Sequence, residues 1–240
     1  MHDIEIVTHC WAGDHEVFAK MLYCQLMSLC HFPPKNTSVK VTVCFCREDR
    51  LVKVLLADFT LRKSAKVDID GIALPLPSLG RRAIGRNMAA LSTSASRFVW
   101  FTDCDHCFFD DVLDNLAEKS WPEGASMIYP QEIMIHRDHA TGDALTSSTD
   151  FHQVPQMMLT DFKPMRYNRA IGGVQIVQAS FARQHGYLNG HKRWQTPVSQ
   201  PFACFRDDVA YRRFCRKHGP VLPVSLPGVY RIRHSTTTYQ

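Results

Sequence analysis

Apolar residues follow two rhythms along the first hundred positions. Residues 4–10 (IEIVTHC) form a short β-branched run, which predicts a strand. Asp14 can cap a helix that follows, in which Phe18, Met21, Leu22, Leu26 and Leu29 recur at helical spacing until Pro33-Pro34 stops it. Residues 39–46 (VKVTVCFC) alternate like a strand, and 51–63 are helical in pattern. Residues 66–74 read as a strand ended by Pro75 and Pro77. A helix over 81–94 leads into a strand over 98–102. The order strand, helix, strand, helix, strand, helix, strand implies an α/β, Rossmann-like fold: a mostly parallel central sheet with helices on both faces.

Beyond residue 110 the rhythm loosens. Residues 126–130 and 171–177 are strand-like, 179–184 can form a helix, and 207–217 form a basic helix. Between them, 135–164 is polar and carries histidines and TGD and SST turn material. A stretch of that length without periodicity is expected to be a functional loop or a disordered one. No internal repeat interrupts the chain. The expectation is one domain over 1–240, its halves meeting near residue 110.

Composition adds little to this picture. With 45% hydrophobic and 21% charged residues in 240, the chain is ordinary for a globular protein. No run approaches the roughly 20 apolar residues of a membrane helix, and the N-terminus lacks a secretory pattern. Nine cysteines, an odd number set in apolar patterns, are expected to be reduced and buried, as in a cytoplasmic protein. Cys104 and Cys107 form a CxxC without a second ligand pair, a weak metal signal. The net charge of +5 gathers late in the chain and suits an anionic ligand or nucleic acid without requiring either.

The stretch FVWFTDCDHCFFDD changes the picture. An apolar strand runs straight into Asp103 and Asp105. In open parallel sheets ligands bind outside the carboxyl ends of the strands. Residues i and i+2 of an extended segment face one side, so both carboxylates can address one cation. Hard oxygen donors suit Mg²⁺ or Mn²⁺, whose shells substrate phosphates usually complete. The plainer alternative is that Asp103 ends the strand and Asp110 or Asp111 caps the next helix. Arg86 and Asn87 on the preceding helix, the adjacent acids Asp207 and Asp208, and His234 in RIRHS are further candidates.

Taken in order, these segments resemble inverting glycosyltransferases of the GT-A fold. FVWFTDCDHCF is similar to the family's strand ending in a DxD motif, and RAIGRNMAA to the arginine–asparagine helix of family 2 enzymes. AIGGVQIVQASFARQHGYLNG, FRDDVAYRR and RIRHS resemble successive segments of the β-1,4-galactosyltransferases. The resemblance implies a donor-binding half over about 1–110 and an acceptor-binding half over about 111–240. It implies that Asp105 binds the metal (Mn²⁺ or Mg²⁺) directly, that Asp103 contacts the ribose or the metal through water, and that His234 is a further metal ligand. Asp208 would be the catalytic base, with Asp207 its neighbour or substitute. Arg86 would contact the diphosphate, and Gly172 and Gly173 would let backbone approach the donor sugar. Thr8 and Trp11 would lie at the nucleobase, with Glu48 or Asp49 a uracil contact. Arg206 stands where the family has Glu, which leaves open which of Asp207 and Asp208 is the base. The aromatic acceptor platform is reduced to Phe202 and Phe205.

The expected reaction is a metal-dependent single displacement from a nucleotide-sugar, with UDP the first candidate, to a hydroxyl of a glycan or of a modified nucleic-acid base. The 135–164 segment would close over the donor. A haloacid-dehalogenase-type phosphatase also places DxD after an apolar strand, but wants Thr or Val where Cys107 stands. A non-catalytic nucleic-acid-binding domain and an inactive GT-A domain are the remaining alternatives.

Overall fold

The structure is a computed structural model that describes residues 1–13, 16–62, 64–147, 159–198 and 206–235. The first half follows the expected alternation: β1 (Ile4–Cys10), α1 (Glu16–His31), β2 (Val39–Cys46), α2 (Arg50–Leu61), β3 (Val67–Leu74), a short α3 (Leu76–Leu79), α4 (Arg82–Ser92) and β4 (Phe98–Phe101). All seven residues of β1 are buried, so both faces of the sheet are covered there. Asp14, the expected cap of α1, lies outside the described residues.

The second half holds more strands than its sequence suggests. β5 (His106–Phe108) follows the carboxylates directly. Then come α5 (Val112–Glu118), β6 (Met127–Pro130), β7 (Glu132–His136), α6 (His139–Ser147), β8 (Phe162–Arg166), β9 (Gln175–Gln178), α7 (Ala179–His185), α8 (Lys192–Gln195), α9 (Asp207–Cys215), β10 (Val221–Val224) and β11 (Val229–Arg231). The described strands form a seven-stranded sheet, ordered β10-β6-β9-β4-β1-β2-β3, and a four-stranded sheet, ordered β5-β11-β7-β8. In the large sheet only β9 runs against its neighbours β4 and β6.

Two sequence expectations need correction. The 135–164 segment is not one long loop. Its ends belong to β7 and β8, which pair antiparallel from Glu132–Arg166 to His136–Phe162, and α6 lies between them. The TGD that reads as turn material is inside α6. Gly142 there packs so closely on the carbonyl of Arg233 that a Cβ would lie 1.6 Å from that oxygen. Residues 148–158 lie outside the described residues. Likewise the 171–177 strand begins only at Gln175, and Gly172 and Gly173 form the turn before it.

After β1, the chain passes through β2 and β3 on one side and returns to β4 on the other, so β1 and β4 flank a topological switch point. The crevice outside their carboxyl ends is the expected ligand site of such a sheet. Asp103 stands there.

Candidate active site

Asp103 is held by two arginines from one helix. Nη1 of Arg82 donates to its Oδ1 at 2.8 Å, and Nη2 of Arg86 donates to the same oxygen at 3.0 Å. These residues sit one turn apart on α4, which aims both guanidiniums at the end of β4. Burial alone would raise the Asp103 carboxyl, but the two guanidiniums outweigh it and hold the group below the usual carboxylate value.

The two arginines differ in access. Arg86 is fully buried. It also donates to the carbonyls of Thr102 and Gly172 and to the hydroxyl of Tyr187, at 3.0–3.1 Å. It clamps the end of β4 to the Gly172 turn and has no surface left for a diphosphate. Arg82 keeps 23% of its side chain exposed and lies 3.9 Å from Oδ1 of Asp207. The arginine at the mouth of the crevice is therefore Arg82, which the sequence reading passed over. Its signal was present in RRAIGR, one turn before Arg86.

Asp105 is more deeply engaged. Arg231 on β11 donates Nε to its Oδ2 at 2.8 Å, and Nδ1 of His106 lies 2.7 Å from Oδ1. That second contact is not aligned as a hydrogen bond, so Oδ1 is buried without one. Burial opposes ionisation, yet Arg231 and His106 hold the carboxyl well below the usual range. The N–H of Ile232 donates to the Asp105 carbonyl at 2.8 Å, which brings the chain of His234 to this side. The His234 imidazole is lowered by burial and feels the charge of Asp105 in the opposite sense. Gln25 on α1 fixes the turn between the carboxylates by donating to the carbonyls of Asp103 (3.0 Å) and His106 (2.8 Å).

A divalent ion suits part of this arrangement. The donors are hard oxygens, and the buried Oδ1 of Asp105 lacks an aligned partner. No three His, Cys, Asp or Glu side chains converge into a metal cage among the described residues.

The two adjacent acids have different surroundings. Asp207 is wholly buried. Its Oδ2 accepts the N–H of Ala83 at 3.0 Å and its Oδ1 the N–H of Asp208 at 3.1 Å. Arg81, at the start of α4, makes no side-chain cap, so Asp207 caps that helix from 124 residues away. Asp208 is only partly buried and its Oδ1 has no hydrogen-bond partner. Burial raises its carboxyl above the usual value, against the Val209 N–H, Arg82 and Arg86. A buried chain ties it to the clamp: Arg86 donates to Tyr187, Tyr187 to the side chain of Gln175, and Gln175 to the Asp208 carbonyl.

Gly172 sits between the carboxylates. A Cβ there would lie 3.4 Å from Oδ2 of Asp103 and 3.5 Å from Cβ of Asp208, filling the gap between them. Gly173 is small for another reason, because a Cβ would meet the His106 ring at 2.1 Å. Indole N–H of Trp100 holds the same turn through the Gly173 carbonyl at 3.3 Å.

The expected nucleobase residues are placed as follows. Thr8 is fully buried in β1. Trp11 is half-buried, with its ring against Gly13. Asp49 caps α2 through Val52 N–H, and its other oxygen accepts the N–H groups of Ala12 (2.8 Å) and Gly13. It shapes the loop after β1. Glu48 is exposed beside Cys46. Asn87 accepts the N–H of Tyr187 at 2.9 Å and anchors the turn after α7. Phe202 and Phe205 lie outside the described residues. The eight described cysteines are free, and no described helix is long and apolar enough to cross a membrane.

Comparison with solved structures agrees with this architecture. The mannosyltransferase PcManGT from Pyrobaculum calidifontis, in complex with GDP-Man and Mn²⁺, superposes over 96% of the chain with a TM-score of 0.57 and 10% identity. TarS 1–349 of S. aureus in complex with UDP covers 95% with a TM-score of 0.54 and 14% identity. The chain has a GT-A-like glycosyltransferase fold. In the GT-A frame, the crevice with Asp103 and Asp208 is the candidate active site. The chain spans only 57% and 60% of the length of these two proteins. A scan of protein-family models and a search of curated sequences return no match.

Proposed function

We propose that the chain is a glycosyltransferase that moves a sugar from a nucleotide-sugar to an acceptor hydroxyl by inverting single displacement. One observation carries the reading: Asp103, at the switch point, and Asp208, unpaired and raised in pKa, approach each other across Gly172. Diphosphate chemistry belongs at the first and proton abstraction at the second.

The acceptor hydroxyl attacks the anomeric carbon while Asp208 takes its proton. The raised carboxyl is better matched to that role than a free aspartate. Asp207 acts as a helix cap and positions its neighbour. Negative charge then builds on the departing diphosphate, and Arg82 stabilises it. Arg86 acts through Asp103 and through the buried chain to Gln175, fixing the two carboxylates relative to each other. Asp103 and Asp105, with His234 alongside, would hold Mn²⁺ or Mg²⁺, which when bound neutralises further charge on the leaving group. Gly172 leaves room for the sugar. Trp11, with the Asp49-shaped loop behind it, is the candidate nucleobase wall. UDP and GDP, the nucleotides seen with the two structural neighbours, are the first donors to try.

Calorimetric titration with UDP and then GDP, in Mn²⁺ and again in EDTA, tests the donor side. Binding that requires Mn²⁺ and disappears in Asp105→Ala supports the reading. Silence of both nucleotides and of dTDP would overturn it.

A further inference from the structure

A second concavity opens along α9. It has a volume of about 490 Å³ and is lined by Arg169, Arg193, Trp194, Arg206, Val209 and Arg213, together with Ala210. Its position ties it to the site. Val209, Ala210 and Arg213 stand on α9, whose first turn carries Asp208, and Arg169 lies three residues before Gly172. Arg193 and Trp194 come from α8, with the Arg193 guanidinium 5.0 Å from the indole centre.

The four arginines are exposed, and among the described residues none of them pairs with a carboxylate. Arg62, Arg82, Arg86 and Arg231 each do. A solvated basic face would spread its charges outward. Here four unneutralised guanidiniums surround one volume. Behind them Arg212 is buried and donates to the Ala170 carbonyl; burial lowers it, Asp208 opposes that, and Arg169, Arg216 and Arg213 lower it further. Guanidinium forks match phosphate oxygens bidentately, and four exceed what a single carboxylate requires. The volume suits a phosphate with the sugar or polyol attached to it.

We propose that this cavity binds the phosphate groups of an anionic acceptor and delivers a neighbouring hydroxyl to Asp208. The inference rests on the transferase reading and adds the acceptor's chemical class. The phosphate can be the phosphodiester of a nucleic-acid strand or that of a phosphorylated glycan or polyol.

The test uses the full chain with UDP filling the donor side. Fluorescence anisotropy follows a fluorescein-labelled dT8 strand from 20 to 200 mM NaCl, with inorganic tripolyphosphate and maltotetraose as competitors. Expected is salt-sensitive binding of dT8, displaced by tripolyphosphate and not by maltotetraose. The double variant Arg193→Gln/Arg213→Gln should weaken it about tenfold or more and make the salt slope shallower by about 1.4, the value for two lost contacts to a single strand. Displacement by tripolyphosphate at matched phosphate concentration means that phosphate alone is read, as in a phosphorylated glycan. Displacement only by other strands assigns the nucleic acid. Unchanged dT8 binding in the double variant, no dT8 binding at all, or displacement by maltotetraose overturns the proposal. If UDP fails to bind yet the double variant still loses dT8, the transferase reading fails and the anion site stands.

Discussion

The arginines around the carboxylate pair and those along α9 are used in opposite ways. Around Asp103 and Asp105 three guanidiniums are paired: Arg82 and Arg86 share Asp103, and Arg231 holds Asp105. Along α9, Arg169, Arg193, Arg206 and Arg213 surround a cavity with no described carboxylate among them. A paired, buried charge is part of the fold, and removing one partner leaves the other uncompensated in low dielectric. An exposed, unpaired charge contributes little to stability and is free for a ligand. Arg86 therefore carries structure, while the exposed, unpaired arginines of the cavity carry the proposed recognition.

The strongest way to break the contrast is Arg86→Met. It leaves the partly exposed Asp103 with one partner fewer and orphans the buried carbonyls that Arg86 bonds at Thr102 and Gly172. A loss of about 3–5 kcal/mol is expected for breaking a buried pair, read from the urea midpoint. Arg82→Met, at the mouth, should cost markedly less stability while weakening nucleotide binding. Equal losses of stability in the two variants would erase the distinction between clamp and contact.

Asp208→Asn comes next. Transfer should fall by about 10²–10⁴ for loss of a general base, with nucleotide binding unchanged in calorimetry. Its stability effect has the opposite sign to that of a paired acid. The folded carboxyl is raised, so ionising it costs the fold stability as pH rises above the unfolded value, and a neutral Asn at pH 7 should be at least as stable as wild type. Asp103 and Asp105 are depressed. Their contribution is present above the ordinary carboxylate value and is lost as pH falls through the lower folded values. The acid limb of transfer should accordingly report a group above the ordinary aspartate pKa. An acid limb at or below that value would remove Asp208 from the role of base.

How much of this was legible follows from where the information lies. β1, β2 and β4 were readable because each is a buried apolar run, β3 because Pro75 and Pro77 end it, and the helices because each shows its own period. β5, β7, β8 and β11 span three to five residues, too few to show a period, and β11 finds its partners near residues 107 and 134. The carboxylates stood out by type and spacing, and the double glycine through the resemblance to the β-1,4-galactosyltransferases. What each one does depended on contacts far away in the chain. Asp207 caps a helix that begins at Arg82, Arg86 reaches Tyr187, and His106 sets the size limit at Gly173. Arg82 was within reach of sequence reasoning. Gln25, inside an apolar helix face, was not.

The adjacent glycines sharpen the comparison at smaller scale. Gly173→Ala drives a methyl into the His106 ring, an overpacking expected to cost about 1–3 kcal/mol. Gly172→Ala places its methyl in ordinary contact with Asp103 and Asp208 and should cost under about 1 kcal/mol. Its effect should appear in catalysis instead, as a fall of roughly tenfold, one 1.4 kcal/mol step, with the urea midpoint little changed. Reversal of the two phenotypes would mean that the sugar approaches Gly173 rather than Gly172.

The smallest stability effect is expected where the recognition effect is meant to be specific. Arg193→Gln/Arg213→Gln removes two exposed, unpaired charges and should stay within about 0.5 kcal/mol of wild type in urea. The outcome has diagnostic value because it separates two explanations for unpaired arginines. If the four guanidiniums repel one another and nothing more, removing two should raise stability, most visibly at low ionic strength where screening is weakest. If other parts of the chain neutralise them, removal should lower it. A near-zero change at both low and high salt leaves their charge to an external anion. Added tripolyphosphate should then raise the melting temperature of wild type and leave that of the double variant nearly unmoved.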